Sequence, residues 1–175
     1  RDCTISQWHN DAFDVSGDAK TGSTHNIRFI RCQAKNSPNE TDGGLAGRRN
    51  NAWEIEDGCS DVELVDCVVE DAGGTGFGVR NHGWPHAVAT QRISFTRCKT
   101  KNVRSGWVVR GTDHQVTVSG VKLIKCQTDA TSSTFVQAVD EVEIAGSSFT
   151  GLLILGMRGT QAAELEIADR PARDV

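Results

Sequence analysis

The apolar residues of this 175-residue chain fall into short alternations broken by Gly, Asn, Asp, Ser and Thr. Alternation with period two puts successive side chains on opposite faces of a strand. No window sustains a helical apolar period over three turns, so the pattern predicts strand, with helix at most as a short piece. The alternations recur as a phrase: IRFIRCQAKN from Ile27, VELVDCVVED from Val62, ISFTRCKTKN from Ile93 and VKLIKCQTDA from Val121. VEIAGSSFTG from Val142 follows the same template with Ser147 in the thiol slot, and the opening DCTISQ supplies its second half with Cys3 in that slot.

Aligned, the phrases define columns that can all face inward. The first is Ile27, Val62, Ile93, Val121 and Val142; the second is Phe29, Leu64, Phe95, Leu123 and Ile144. The third is Cys3, Cys32, Cys67, Cys98, Cys126 and Ser147. A second phrase follows each first one: AFDV at Ala12, AWEI at Ala52, GFGV at Gly76, GWVV at Gly106, TFVQ at Thr134 and GLLI at Gly151. It adds an aromatic column, Phe13, Trp53, Phe77, Trp107 and Phe135 ending in Leu152, in which Phe and Trp largely alternate. Its partner column is Val15, Ile55, Val79, Val109, Gln137 and Ile154. Val116-Thr117-Val118 imitates the opening of the phrase, but Val121 keeps Cys126 nine residues before Phe135, as Cys98 is before Trp107.

Successive third-column positions lie 29, 35, 31, 28 and 21 residues apart. Such uneven periods exclude a heptad coil and suit a solenoid whose strands keep register while its loops vary in length. Equivalent strands would then stack like on like at ~4.8 Å. The prediction is one all-β domain over residues 1–175, with about six coils and three short strands per coil. From Cys3 to about Ile167 the phrases resemble the repeats of the pectate-lyase-like superfamily. The resemblance implies a right-handed, single-stranded parallel β-helix, a scaffold on which lyases, hydrolases, epimerases and viral tailspikes are all built. Fold alone does not choose among them.

Composition narrows the partners. A net charge of −4 gives no electrostatic footprint for nucleic acid or an anionic membrane. No stretch approaches the ~18–20 apolar residues of a membrane span. Arg1-Asp2-Cys3 lacks both a starting Met and an apolar signal region, so the chain reads as a piece of something longer. A secreted or cell-surface setting is what the resemblance implies. Open strand edges at the ends of such a solenoid also favour association.

The six cysteines read as a buried thiol ladder rather than a disulfide framework. Ser147 replaces the thiol without breaking the phrase, and stacked Cβ vectors run parallel, which disfavours the torsion of a bridge. Zinc is not expected, since no C-x-x-C pair occurs. Cys59 lies off the ladder, in a turn open to solvent.

Chemistry on a solenoid belongs to outward columns and irregular loops. One loop, residues 36–51, reads NSPNETDGGLAGRRNN and stretches the Cys32-to-Trp53 interval to 21, where the other Cys-to-aromatic intervals are 10 or 9. The other, residues 80–91, reads RNHGWPHAVATQ. The outward columns beside the aromatic strand are Asp14, Glu54, Gly78 and Val108, then Ser16, Glu56, Arg80 and Arg110. Polar residues stacked this way can follow an extended sugar chain, and Gly78 would leave a groove for a ring. The resemblance suggests two chemistries there. A uronate lyase or epimerase would neutralise a carboxylate with Arg80 or Arg110 and use His82 or His86 as base. A hydrolase would pair Glu54 with Glu56, or Asp14 with Glu54.

Substrate contacts are expected from Asp14, Arg48, Arg49, His86 and His114, with Trp84 as a stacking platform and a polysaccharide or oligosaccharide as partner. No cofactor is expected. Calcium through Asp14, Glu54, Glu56 and Asp57 is a weaker alternative, because no EF-hand or nonapeptide loop is present. The competing reading is a non-catalytic scaffold (an adhesin, a tailspike or a carbohydrate-binding module). In it, Glu56 beside Arg80 and Arg28 beside Glu63 are surface ladder pairs of little energetic weight.

Overall fold

The computed structural model describes residues 1–8, 10–18, 21–37, 51–81, 88–111, 118–129, 133–137, 140–150, 152–155 and 161–168. For 133, 135–137, 140, 152–155 and 161–168 it describes the backbone alone. No helix occurs among these residues. Strands β1 (Thr4–Ser6), β2 (Asp11–Ser16), β3 (His25–Ile30), β4 (Gln33–Lys35), β5 (Asn51–Glu56), β6 (Ser60–Val65), β7 (Val68–Arg80) and β8 (Thr90–Thr96) come first. They are followed by β9 (Lys99–Arg110), β10 (Val118–Ile124), β11 (Gln127–Thr128), β12 (Ser133–Gln137), β13 (Asp140–Thr150), β14 (Leu152–Leu155) and β15 (Gln161–Ala168).

All fifteen described strands belong to one open sheet and pair in parallel. Pairing joins equivalent phrases, so three ladders run through the molecule. The first is β3, β6, β8, β10 and the start of β13. The second is β1, β4, the start of β7, the start of β9, β11 and the middle of β13. The third is β2, β5, the end of β7, the end of β9, β12 and β14. The first two columns keep the predicted register, with Ile27 opposite Val62, Val62 opposite Ile93, and Val121 between Ile93 and Val142.

Cys3, Cys32, Cys67, Cys98 and Cys126 lie outside the strands, at the corner that leads into the second ladder. The residue before each adopts a left-handed backbone: Asp2, Arg31, Asp66, Arg97 and Lys125 at φ 50–55°, then Gly146 at 56°. The same conformation recurs at the other corners, in Asn26, Asp61, Arg92, Gly120 and Glu141, and in Gln7, Asn36, Asp71 and Asn102. A non-Gly residue held there costs of order 1–3 kcal/mol. The cost is tolerated because each corner carries its chain back to the next rung, where the freed backbone groups are paired. Val68 N donates to Cys32 O at 3.0 Å, and Lys99 N to Cys67 O at 3.0 Å.

Cys32, Cys67, Cys98 and Cys126 are buried free thiols, while Cys3 is exposed. Cys59 corrects the sequence reading. It is fully buried, donates Sγ–H to Val15 O at 3.0 Å, and burial pushes its thiol up to about 11.

The aromatic column forms a continuous stack. Phe13 lies 4.4 Å from Trp53, Trp53 5.1 Å from Phe77, and Phe77 4.9 Å from Trp107. Phe29 and Phe95 of the first ladder meet the stack edge-on. The column then departs from expectation. β12 pairs with β9 through a register shift at Ser133/Thr134, so Thr134, not Phe135, stands opposite Trp107. Val136, not Gln137, follows Val109. A one-residue slip exchanges the faces of a strand, and Phe149 instead closes on Trp107 at 5.4 Å.

Candidate functional site

The outward columns of the third ladder are aligned as expected. Asp14 stands opposite Glu54, Glu54 opposite Gly78, and Gly78 opposite Val108; Ser16 stands opposite Glu56 and Arg80 opposite Arg110. Their exposure differs from the reading that outward means solvated. Glu54 is only 3% exposed. A Cβ on Gly78 would lie 2.8 Å from Glu54 Oε2 and 3.2 Å from Trp53 O, so the missing side chain is the seat of this carboxyl.

Arg80 Nε approaches Glu54 Oε1 to 2.9 Å, and Arg80 Nη2 donates to Asn51 Oδ1 at 3.4 Å. The close approach is poorly directed: Arg80 Nε and both Glu54 oxygens are sealed from solvent without an aligned hydrogen bond. Burial is the dominant influence on Glu54 and pushes it up to about 8. Arg80 opposes the shift, while Glu56, Asp11 and Asp14 add to it. Arg80 therefore pairs with Glu54 and not with the predicted Glu56. The other predicted pair is present, Arg28 Nε to Glu63 Oε2 at 2.7 Å.

Asn51, the first residue of β5, is a member of the site that the sequence reading left inside a loop. It is buried, donates Nδ2–H to Asp11 Oδ1 at 2.9 Å, and its carbonyl accepts from Trp8 Nε1 at 3.0 Å. Asn10 Nδ2 reaches the other Asp11 oxygen at 3.0 Å. The only sequence signal was its place directly before the AWEI phrase, where it faces Asp11.

Asp14 is exposed and Glu56 half-buried. Partial burial, together with Asp11 and Asp57, raises Asp14 above the usual carboxylate range. Arg110 is exposed at the end of β9. Arg48, Arg49, His82, Trp84, His86 and His114 lie outside the described residues. The sheet thus brings together Asp14, Glu54, Glu56 and Arg80, with Arg110 one rung further on. Among the described residues no three His, Cys, Asp or Glu side chains come together to hold a metal ion, and Glu54, one of the suggested calcium ligands, turns to Arg80 instead.

No protein-family model matches the sequence, and no curated protein matches it. The chain is similar in structure to the N-terminal fragment of gene product 12 of bacteriophage phi29, with a TM-score of 0.62 at 15% sequence identity. The match covers 96% of this chain and 30% of that one, so the chain spans under a third of its structural neighbour. At this identity the likeness speaks to fold alone.

Proposed function

We propose that the chain is a right-handed, single-stranded parallel β-helix of about six coils that hydrolyses a polysaccharide on the outward face of its third ladder. One arrangement carries the reading: two carboxyls that reach solvent, Asp14 and Glu56, sit diagonally on neighbouring rungs with buried Glu54 beside both. Diagonal neighbours on adjacent strands are about 7–8 Å apart, and inverting glycosidases hold their carboxyls roughly 6.5–9.5 Å apart to admit a water. Asp14, raised by burial and by Asp11 and Asp57, is the proton donor to the leaving oxygen. Glu56 is the base that activates water. Glu54, with both oxygens sealed, is a positioning residue. The lyase alternative has less support, because Arg80, which would neutralise a uronate, is turned to Glu54.

The test is reducing-end release from neutral and uronic polysaccharides, with absorbance of unsaturated uronates read in parallel. Asp14→Asn and Glu56→Gln are each expected to lower release by about 10²–10⁴-fold with the fold intact. Unchanged turnover in both variants, or an unsaturated product, overturns the hydrolase. Silence from a folded protein on every substrate favours a non-catalytic scaffold. That second reading has its own observation: the sealed contact of Glu54 with Arg80 needs no substrate to explain it, since it ties β5 to β7.

A further inference from the structure

A groove of about 540 Å³ opens near the start of β7, away from the Arg80 end. Three successive rungs meet there, in the corner between the second and third ladders. Asn36, Asp71 and Asn102 each follow one of the aligned residues Lys35, Glu70 and Lys101, and share left-handed φ values of 58°, 53° and 51°. They form a column of short polar side chains along the groove. Asn102 donates Nδ2–H to Asp71 Oδ1 at 2.7 Å and its backbone N–H to Asp129 Oδ2 at 2.6 Å. Beside the column, the pairing of β7 with β9 shifts between Ala72 and Thr75. There Gly73-Gly74 faces the single residue Arg104, so β7 carries one residue more. Such a bulge bends the strand and interrupts the ladder, and Ala72, Gly73, Val103 and Arg104 line the space beside it.

We propose that this groove binds a neutral, hydroxyl-rich oligosaccharide laid across successive rungs. The column repeats at the strand spacing of about 4.8 Å. It offers amide donors and acceptors beside carboxylate acceptors, a set that matches hydroxyls, which both donate and accept. An anionic sugar would meet the Asp71 carboxylate, and Arg104 has interactions of its own. Ala72 and Val103 line the groove beside the polar column, so apolar and polar surface lie side by side, as the C–H faces and hydroxyls of a sugar do. The proposal is independent of the hydrolase reading, whose residues lie on the outward face of β2 and β5.

The experiment titrates the ¹⁵N-labelled full chain with maltohexaose, cellohexaose and a galacturonic acid hexamer, reading the side-chain amides of Asn36 and Asn102. At least one neutral hexamer is expected to shift both amides, and the uronate neither. The double variant Asn36→Gly/Asn102→Gly removes both amides while permitting the left-handed corners, and its amide spectrum reports folding. It is expected to weaken binding at least tenfold, whereas Asp14→Asn leaves binding unchanged. No shift with either neutral sugar, a response to the uronate alone, or full affinity in the double variant overturns the groove. Hydrolysis lost with binding kept, or the reverse, tells the two proposals apart.

Discussion

Glu54 occupies an outward position yet loses nearly all contact with water, because Gly78 on the next rung leaves room for its carboxyl to lie down. The consequence is a pH dependence with a definite sign. Its folded value, about 8, stands above the ordinary glutamate value of 4.5, so between these limits the folded state holds a proton that the unfolded chain releases. Stability contributed by the neutral form is therefore fully present below about pH 4.5 and is lost as pH rises, reaching roughly 4 kcal/mol by pH 8. Asp2, Asp61 and Asp66 are held low by Arg31, Arg92 and Arg97, so their contribution is lost only as pH falls below the normal carboxylate range, outside this window. Urea unfolding at pH 5 and pH 8 should show the loss in the native chain and a much flatter response in Glu54→Gln; equal slopes would mean Glu54 is ionised throughout. Thiol labelling tests the cysteines at the same scale. Only Cys3 is expected to react under native conditions and all six in denaturant, so rapid loss of Cys59 would contradict its burial. Neither the burial of Glu54 nor that of Cys59 was legible in the sequence, where an outward column implies solvent and a turn cysteine implies access. Both inferences treat one strand at a time, and both residues are covered by groups distant in sequence.

At the scale of the element, the strands were legible and their corners were not. Val62, Leu64, Ile93 and Phe95 alternate with polar residues and point into the core as a period-two pattern requires. The left-handed corners have no equally plain signature. Asn and Asp favour them, but Arg31, Arg97 and Lys125 do not, and these are held by ladder pairing rather than by propensity. β12 failed for a related reason: the spacing from Cys126 to Phe135 copies that from Cys98 to Trp107, yet a bulge at Gly106 of β9 moves the pairing by one residue. Strand energetics rest on the stack. Trp107 is fully buried between Phe77 and Phe149, with Phe95 edge-on at 6.4 Å. Trp107→Ala should cost about 3–5 kcal/mol in chemical denaturation, and a negligible change would remove the aromatic column from the core.

Across the whole molecule each rung pairs only with the rungs beside it, so stability is a sum of neighbouring interfaces. Those interfaces are unequal. In β3 the columns are half-buried at Ile27 and Phe29, and β3 pairs with β6 alone among the described strands. In β6 and β8 the same columns are sealed, and each strand is paired on both sides. The pairs Arg31–Asp2, Arg92–Asp61 and Arg97–Asp66 are exposed and spread along the rungs, where solvent screening leaves them little weight. Apolar burial therefore sets the gradient. Native-state hydrogen exchange should open β2 and β3 at lower free energy than β6 and β8, whose slowest amides approach the global value. Added salt should leave that order intact, because it screens the corner pairs and spares the core. Equal protection across all rungs would instead require coupling that reaches beyond nearest neighbours, and a reversal on adding salt would give the ion pairs the role assigned here to the rings.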